Sequence, residues 1–282
     1  MSTSKKRKLW KPCFEYKVDY NDHFETPLCA YKDILPLLDG LNQNRKEHVI
    51  YDPYYCDGRV AVLLRQLGFD RIIHAKRDFY KDVEMNTVPE HVTLVTNPPY
   101  SDNHKEKCIE FCIQQFQEEG RAFFLLMPNY VAAKSYFRTL LNGKGCMDDV
   151  AYVVPPSPYE YDHPEGTGYE VPPFNSLWFV GIGKEKIRQM QETWQQKVGF
   201  ARFVTSLNEL ERLSVISMQK RPNPKQRKKR RLQLQEGEVL PTKPNKQQND
   251  KSSGTQPKSA AKKSKSKSRY RDDKGKRTKK RF

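Results

Sequence analysis

The chain has 282 residues, 36% hydrophobic and 30% charged, with a formal net charge of +17, enough for one sizeable α/β domain plus further material. The charge is concentrated: residues 220–282 hold 24 Lys and Arg against 5 Asp and Glu, a net of +19, which leaves residues 1–219 at −2. No apolar run approaches the length of a bilayer span, and the basic start Met1-Ser-Thr-Ser-Lys-Lys-Arg-Lys8 has no apolar segment behind it, unlike a secretory signal.

Composition divides the chain into a basic leader at residues 1–11, an alternating strand and helix region at 12–185, a helical extension at 186–219 and a tail at 220–282. Residues 26–38 have apolar positions at helical spacing, with Thr26 as N-cap and Pro27 at the first helical position. Residues 48–51 form a short apolar run that suits a buried parallel strand and ends at Asp52-Pro53. Residues 59–67 read as an amphipathic helix stopped by Gly68, and 71–75 as a second strand. Residues 91–96 form a third strand that runs into Asn97-Pro98-Pro99-Tyr100. A helix over 105–119 turns Cys108, Ile109, Cys112, Ile113 and Phe116 inward. A strand at 121–127 and a helix at 130–141 follow, then strands at 150–154 and 176–182 with no helical pattern between them, which are expected to pair antiparallel. In 186–219, Ile187, Met190, Trp194 and Val198 fall on one helical face that would dock on the domain.

The alternation predicts an α/β fold, a doubly wound and mostly parallel sheet with an antiparallel edge. Ligands on such sheets bind outside the carboxyl ends of the strands, where both Asp52-Pro53 and Asn97–Tyr100 fall. The six cysteines form no paired framework and read as reduced thiols. Cys108 and Cys112 share a helix face but lack partners to complete a metal set, so no metal is expected.

The chemistry rests on Asn97-Pro98-Pro99-Tyr100. Pro98 and Pro99 fix φ and remove two backbone donors, leaving carbonyls with little freedom. Asn97 Oδ1 and the Pro98 carbonyl can together accept both hydrogens of a planar amino group and favour its tetrahedral, more nucleophilic form. Tyr100 offers a flat face for a base or an amide. A rigid turn after a strand would use the same four residues, but the rim position favours function.

This motif, following His91-Val-Thr-Leu-Val-Thr96, resembles that of class I S-adenosylmethionine-dependent amino-methyltransferases, which include N6-adenine methyltransferases of DNA and RNA and a branch that methylates glutamine amides. The resemblance covers residues 22 to about 183. It implies a Rossmann-like fold, S-adenosylmethionine as donor, and the roles given above for Asn97, Pro98 and Tyr100. Val49-Ile-Tyr-Asp-Pro-Tyr-Tyr-Cys-Asp-Gly58 resembles the first strand and donor loop Asp-Pro-x-x-Gly-x-Gly: Asp52, Pro53 and Gly58 match, while Cys56 stands at the first glycine. Phe24-Glu-Thr-Pro27, with Tyr31, resembles the segment that closes over the cofactor. The resemblance also calls for an acid on the donor's ribose, which is not identifiable, and one beside its adenine, for which Asp78 stands, with Phe79 stacking. Only about forty residues separate Gly58 from Asn97, so one strand–helix unit is expected to be shortened or missing.

Pro128-Asn129-Tyr130 reads as a wall of the target pocket or as a helix-entry turn, and loop 155–173, with Tyr159, Tyr161, His163 and Tyr169, as a target-recognition element. The tail cannot bury enough surface to fold alone and is expected to be disordered. Its runs, together with Lys5-Lys-Arg-Lys8, predict contact with the nuclear import machinery, a nuclear and within it nucleolar location, and nucleic-acid binding with RNA favoured over DNA. The expected function is methylation of an exocyclic amino group, adenine N6 first. A glutamine-amide methyltransferase and an inactive nucleic-acid-binding scaffold are the alternatives, and a protein partner is left open.

Overall fold

The computed structural model describes residues 24–161, 175–194 and 199–218. The expectations for the leader, Cys13, His163, Tyr169, Val198 and the tail lie outside the described residues. All the described residues belong to one compact unit.

The chain enters through α1 (Leu28–Leu41), then alternates: β1 (Ile50–Tyr51), α2 (Arg59–Gln66), β2 (Ile72–Ile73), α3 (Phe79–Glu84), β3 (Thr93–Thr96), α4 (His104–Glu119) and β4 (Ala122–Pro128). A 3-10 turn (Asn129–Val131), α5 (Ser135–Gly143), β5 (Val150–Val154), β6 (Ser176–Gly181), α6 (Lys184–Thr193), β7 (Arg202–Val204) and α7 (Leu207–Arg212) complete it. One mixed sheet runs β2-β1-β3-β4-β6-β5-β7. Strands β2, β1, β3 and β4 are parallel; β6 pairs antiparallel with β4 and β5, and β7 antiparallel with β5.

Alternation along the strands divides the core between the two faces. Val95, Phe124, Leu126, Trp178 and Val180 face α1, α2 and α6, whereas Leu94, Phe123, Leu125, Leu177 and Phe179 face α3, α4, α5 and α7. Strand β4 is buried along its whole length because it lies mid-sheet with both faces covered, which is why its sequence is a continuous apolar run. Strand β1 is the starting point of two opposed steps: the chain goes outward to β2, then crosses back to β3 on the other side. The carboxyl ends of β1 and β3 therefore flank a switch in strand order, the position at which open α/β sheets bind their ligands.

Several expectations are corrected. The 186–219 segment is not a helical extension: α6 ends at Thr193, and β7 carries the sheet past residue 185. Trp194 is the C-cap of α6 and stacks on Phe203 of β7, with ring centroids 5.3 Å apart. The expected antiparallel pairing of β5 with β6 is present, and β7 widens the antiparallel part of the sheet to three strands, with β6 set between β4 and β5. The expected shortening between Gly58 and Asn97 is found: both strand–helix units are present, with β2 of 2 residues and α3 of 6. Pro27, not Thr26, is the N-cap of α1. Thr26 is buried and hydrogen-bonds Tyr31 instead.

Candidate active site at the carboxyl ends of β1 and β3

Asp52 leaves β1 almost fully buried, 2% exposed, and must be satisfied internally. Thr96 Oγ1, at the end of β3, donates to Asp52 Oδ1 at 2.5 Å, and the Tyr54 amide donates to the same oxygen at 3.1 Å. One carboxylate thus joins the two motif loops across 44 residues of sequence. Burial pushes the Asp52 carboxyl up; His74, Thr96 and the Tyr54 amide pull it back.

One residue further on, the Asn97 amide is half used. Its Nδ2 donates to the Phe24 carbonyl at 3.2 Å, while Oδ1 is buried without a hydrogen-bond partner. An orphaned buried carbonyl costs about 1–3 kcal/mol. Such an acceptor, held by the rigid Pro98-Pro99 that follows, is ready for an N–H donor from a ligand. Tyr100 Oη donates to the Leu126 carbonyl at 3.1 Å, which fixes the orientation of its half-buried ring. The Lys105 ammonium, buried at the start of α4, donates to the Tyr100 carbonyl and closes the loop from the other side.

The loop after β1 curls back before α2. The Gly58 amide donates to the Tyr55 carbonyl at 2.8 Å, and Gly58 has φ +83°. A Cβ there would sit 2.6 Å from Tyr55 Oη, the end of a side chain that can shift, so it is the left-handed φ that calls for glycine. Cys56 has φ +47°, the left-handed conformation that glycine adopts without penalty. The substitution therefore leaves the turn's shape intact and places a side chain on it. Burial, with Glu25 and Asp57 nearby, raises the Cys56 thiol to about 12. The thiol stays protonated and is no nucleophile at neutral pH. At the start of the described chain, the Phe24 carbonyl accepts from Asn97 and its ring meets Tyr161 edge-on at 6.1 Å between centroids.

Asp78 and Phe79 are differently engaged from what the sequence suggests. The Asp78 carboxylate accepts from the Tyr80 and Lys81 amides at 3.1 and 3.3 Å and caps α3. Phe79 is 3% exposed, packed against Tyr54, Tyr80 and Phe111. The Phe79 ring is therefore part of the core, and one Asp78 oxygen is used by the helix start. In place of an acid, the end of β2 presents His74, whose side chain is 1% exposed. Its Nδ1 lies 3.3 Å from the Asp52 carbonyl, which can only accept, so Nδ1 is the donor there, and the buried Nε2 has no hydrogen-bond partner. Tyr55 stacks on the His74 ring at 4.9 Å and 17°. Sequence reasoning missed His74 and Thr96. A lone histidine carries no pattern, and the role of Thr96 depends on its strand register beside Asp52.

Around the rim, Asn129 is structural, its side chain donating to the Val215 carbonyl at 2.6 Å, whereas Tyr130 is 39% exposed. Tyr159 and Tyr161 are buried, and Tyr159 Oη donates to Asp33 of α1 at 2.6 Å, so these two residues anchor the chain that follows β5. Cys108 and Cys112 are core residues. Among the described residues no group of three or more His, Cys, Asp or Glu is placed to hold a metal ion. No protein-family model matches the chain, and comparison with curated proteins returns no similar sequence.

Proposed function

We propose that the chain is an S-adenosylmethionine-dependent methyltransferase acting on an exocyclic amino group, with adenine N6 in nucleic acid as the target class, on a Rossmann-like, doubly wound domain. The observation that carries this reading is Asn97 Oδ1: a buried carbonyl acceptor without a partner, at the strand-order switch, ahead of two prolines.

When bound, the donor supplies an electrophilic methyl group on a sulfonium. The turn Tyr54–Gly58, where the left-handed Cys56 and Gly58 give the backbone its glycine-like course, would hold its methionine end. The family resemblance would bring Phe24, Thr26 and Pro27 over the bound donor, and Asp52 holds the start of the turn through the Tyr54 amide. The adenosine end would meet Tyr55 and His74 in place of an acid and a free aromatic ring.

Asn97 Oδ1 and the Pro98 carbonyl accept the two N–H bonds of the target, so nitrogen lone-pair density turns toward the methyl donor. Because Asn97 Nδ2 is held by Phe24, the amide cannot flip to present a donor instead. Tyr100 provides the ring face against the target, its hydroxyl tied back to β4. No general base is needed, as the extra proton leaves after transfer.

The test is calorimetric titration of S-adenosylmethionine into the full chain, followed by labelled-methyl transfer to RNA, DNA and glutamine-containing peptides. Saturable binding, with transfer abolished in Asn97→Ala, supports the reading; a folded chain that binds no donor, even with RNA added, overturns it. One observation favours a second reading, an inactive scaffold: the fold uses one Asp78 oxygen to cap α3 and packs the Phe79 ring into the core.

A further inference from the structure

Three lysines on the described rim are each held over a tyrosine ring. Lys76 Nζ lies 5.3 Å from the centroid of Tyr55, Lys107 Nζ 5.0 Å from Tyr80, and Lys134 Nζ 5.5 Å from Tyr130. Lys76 and Lys107 are exposed. Their places in the fold form a series: Lys76 follows β2, Lys107 is in the first turn of α4 after β3, and Lys134 follows β4. Because β2, β1, β3 and β4 are parallel, these positions share the carboxyl edge of the sheet. They cross it over roughly 14 Å, three interstrand spacings, with Asn97 between the outer two.

A lysine over an aromatic face is restrained in a way that a solvated lysine is not. Tyr80 is itself fixed, its hydroxyl bonded to His104 Nδ1 at 2.5 Å and to Tyr54 Oη at 3.2 Å. Most of the rim's acids are turned to internal uses: Asp52 on Thr96, Asp78 on the α3 amides and Asp82 on Arg77 at 2.6 Å. Asp57 and Asp102 stay exposed, so the cations act as discrete anchors and not as a uniform field. Residues 1–219 are nearly neutral, which makes the grouping local. Spaced cations beside aromatic rings match a phosphodiester chain with bases to one side.

We infer that Lys76, Lys107 and Lys134 form a phosphate track that lays a single-stranded polynucleotide across the rim and delivers one unstacked base to Asn97. This deepens the methyl-transfer reading and rests on it for the base's destination. It also separates two roles for cations: the tail binds polyanions without register, and the rim sets the register. Tyr130 supplies a ring for a neighbouring base.

The experiment uses the full chain and a 12-nucleotide single-stranded RNA carrying 4-thiouridine, with single-stranded DNA of the same sequence as a second arm. Ultraviolet crosslinks are expected in peptides containing Tyr55, Tyr80 or Tyr130. The K76E/K107E/K134E variant should bind at least tenfold more weakly. Its slope of log affinity against log salt should be shallower by about 2, three contacts at roughly 0.7 each. K76Q/K107Q/K134Q should lose slope to a similar degree without added repulsion, and the unchanged melting temperature of either variant shows that the fold is retained. Crosslinks confined to residues 220–282, with an unaltered slope, overturn the track, as does equal competition by an acidic peptide of matched charge. Asn97→Ala should keep crosslinks and slope while losing transfer. If the native chain transfers no methyl group yet crosslinks at the rim, the methyl-transfer reading fails and the track stands. Transfer to RNA that is indifferent to the three lysines overturns the track and leaves methyl transfer standing.

Discussion

Asn97 and Phe24, 73 residues apart, share a hydrogen bond in which the Asn97 side-chain nitrogen donates to the Phe24 carbonyl at 3.2 Å, and this leaves the amide oxygen buried and unsatisfied. The pair fixes which half of the amide a ligand can meet. Asn97→Ala removes a hydrogen bond and an orphaned carbonyl together. The two changes oppose one another, so stability is expected to stay within about 1 kcal/mol of the native chain. Methyl transfer should disappear. Urea denaturation and a transfer assay check this, and a loss of several kcal/mol would make Asn97 a structural residue.

Thr96 and Asp52 predict the reverse pattern. The Thr96 hydroxyl supplies one of two donors found on a fully buried carboxylate oxygen. Thr96→Val keeps the shape and deletes the donor, which should destabilise the domain by about 1–3 kcal/mol. Thr96→Ser should recover most of that. Equal stability of the Val and Ser variants would mean that water or another group replaces the hydroxyl.

Asp78 distinguishes a cap from a cofactor contact. As N-cap of α3, its replacement by Ala is expected to cost about 1 kcal/mol. Asp78→Ser or Asp78→Asn should recover most of it, and donor affinity should be the same in all three variants. A drop in affinity without a drop in stability would return Asp78 to the donor site.

The strands that carry the site were legible because a covered parallel sheet demands short apolar runs, and the two motifs at their ends are rigid and unusual. Asn97–Tyr100 could be placed on the rim for that reason. The missed features lack such signals. Strand β7 has 3 residues, one of them the exposed Arg202, too little for a period to show. Asp78 has a residue type that suits a cap and a ligand contact equally, and only the Tyr80 and Lys81 amides decide between them. Tyr159 and Tyr161 sit in a Pro- and Gly-rich stretch that reads as surface, yet both rings are buried. Aromatic residues in a loop serve as anchors as readily as they serve as recognition groups, and burial is a property of the fold.

His48 and His91 make stability depend on pH. Burial lowers both below their ordinary value of 6.5. A group depressed in the folded state is protonated first in the unfolded chain, so its contribution is complete above 6.5 and declines as pH falls toward the folded value. Asp52, raised by burial, works in the opposite sense in the acid range. The urea midpoint is therefore expected to fall as the pH is lowered from about 7.5 to about 5.5. His48→Gln combined with His91→Gln should flatten that decline. A flat native profile would show that neither imidazole is held neutral.

Cys56 tests whether the departure in the donor loop is tolerated or selected. Its φ of +47° disfavours any residue with a Cβ. Cys56→Gly relieves that strain and adds freedom to the unfolded chain, terms of similar size, so stability should change by less than about 1 kcal/mol. Cys56→Val, β-branched in the same conformation, should lose about 1–3 kcal/mol. If the turn's course is what the donor requires, Cys56→Gly binds S-adenosylmethionine at least as tightly as the native chain, because the backbone is retained and the space opened. Weaker binding by Cys56→Gly at equal stability would mean that the thiol itself touches the ligand. In that case the side chain, and not the glycine-like backbone, defines the site.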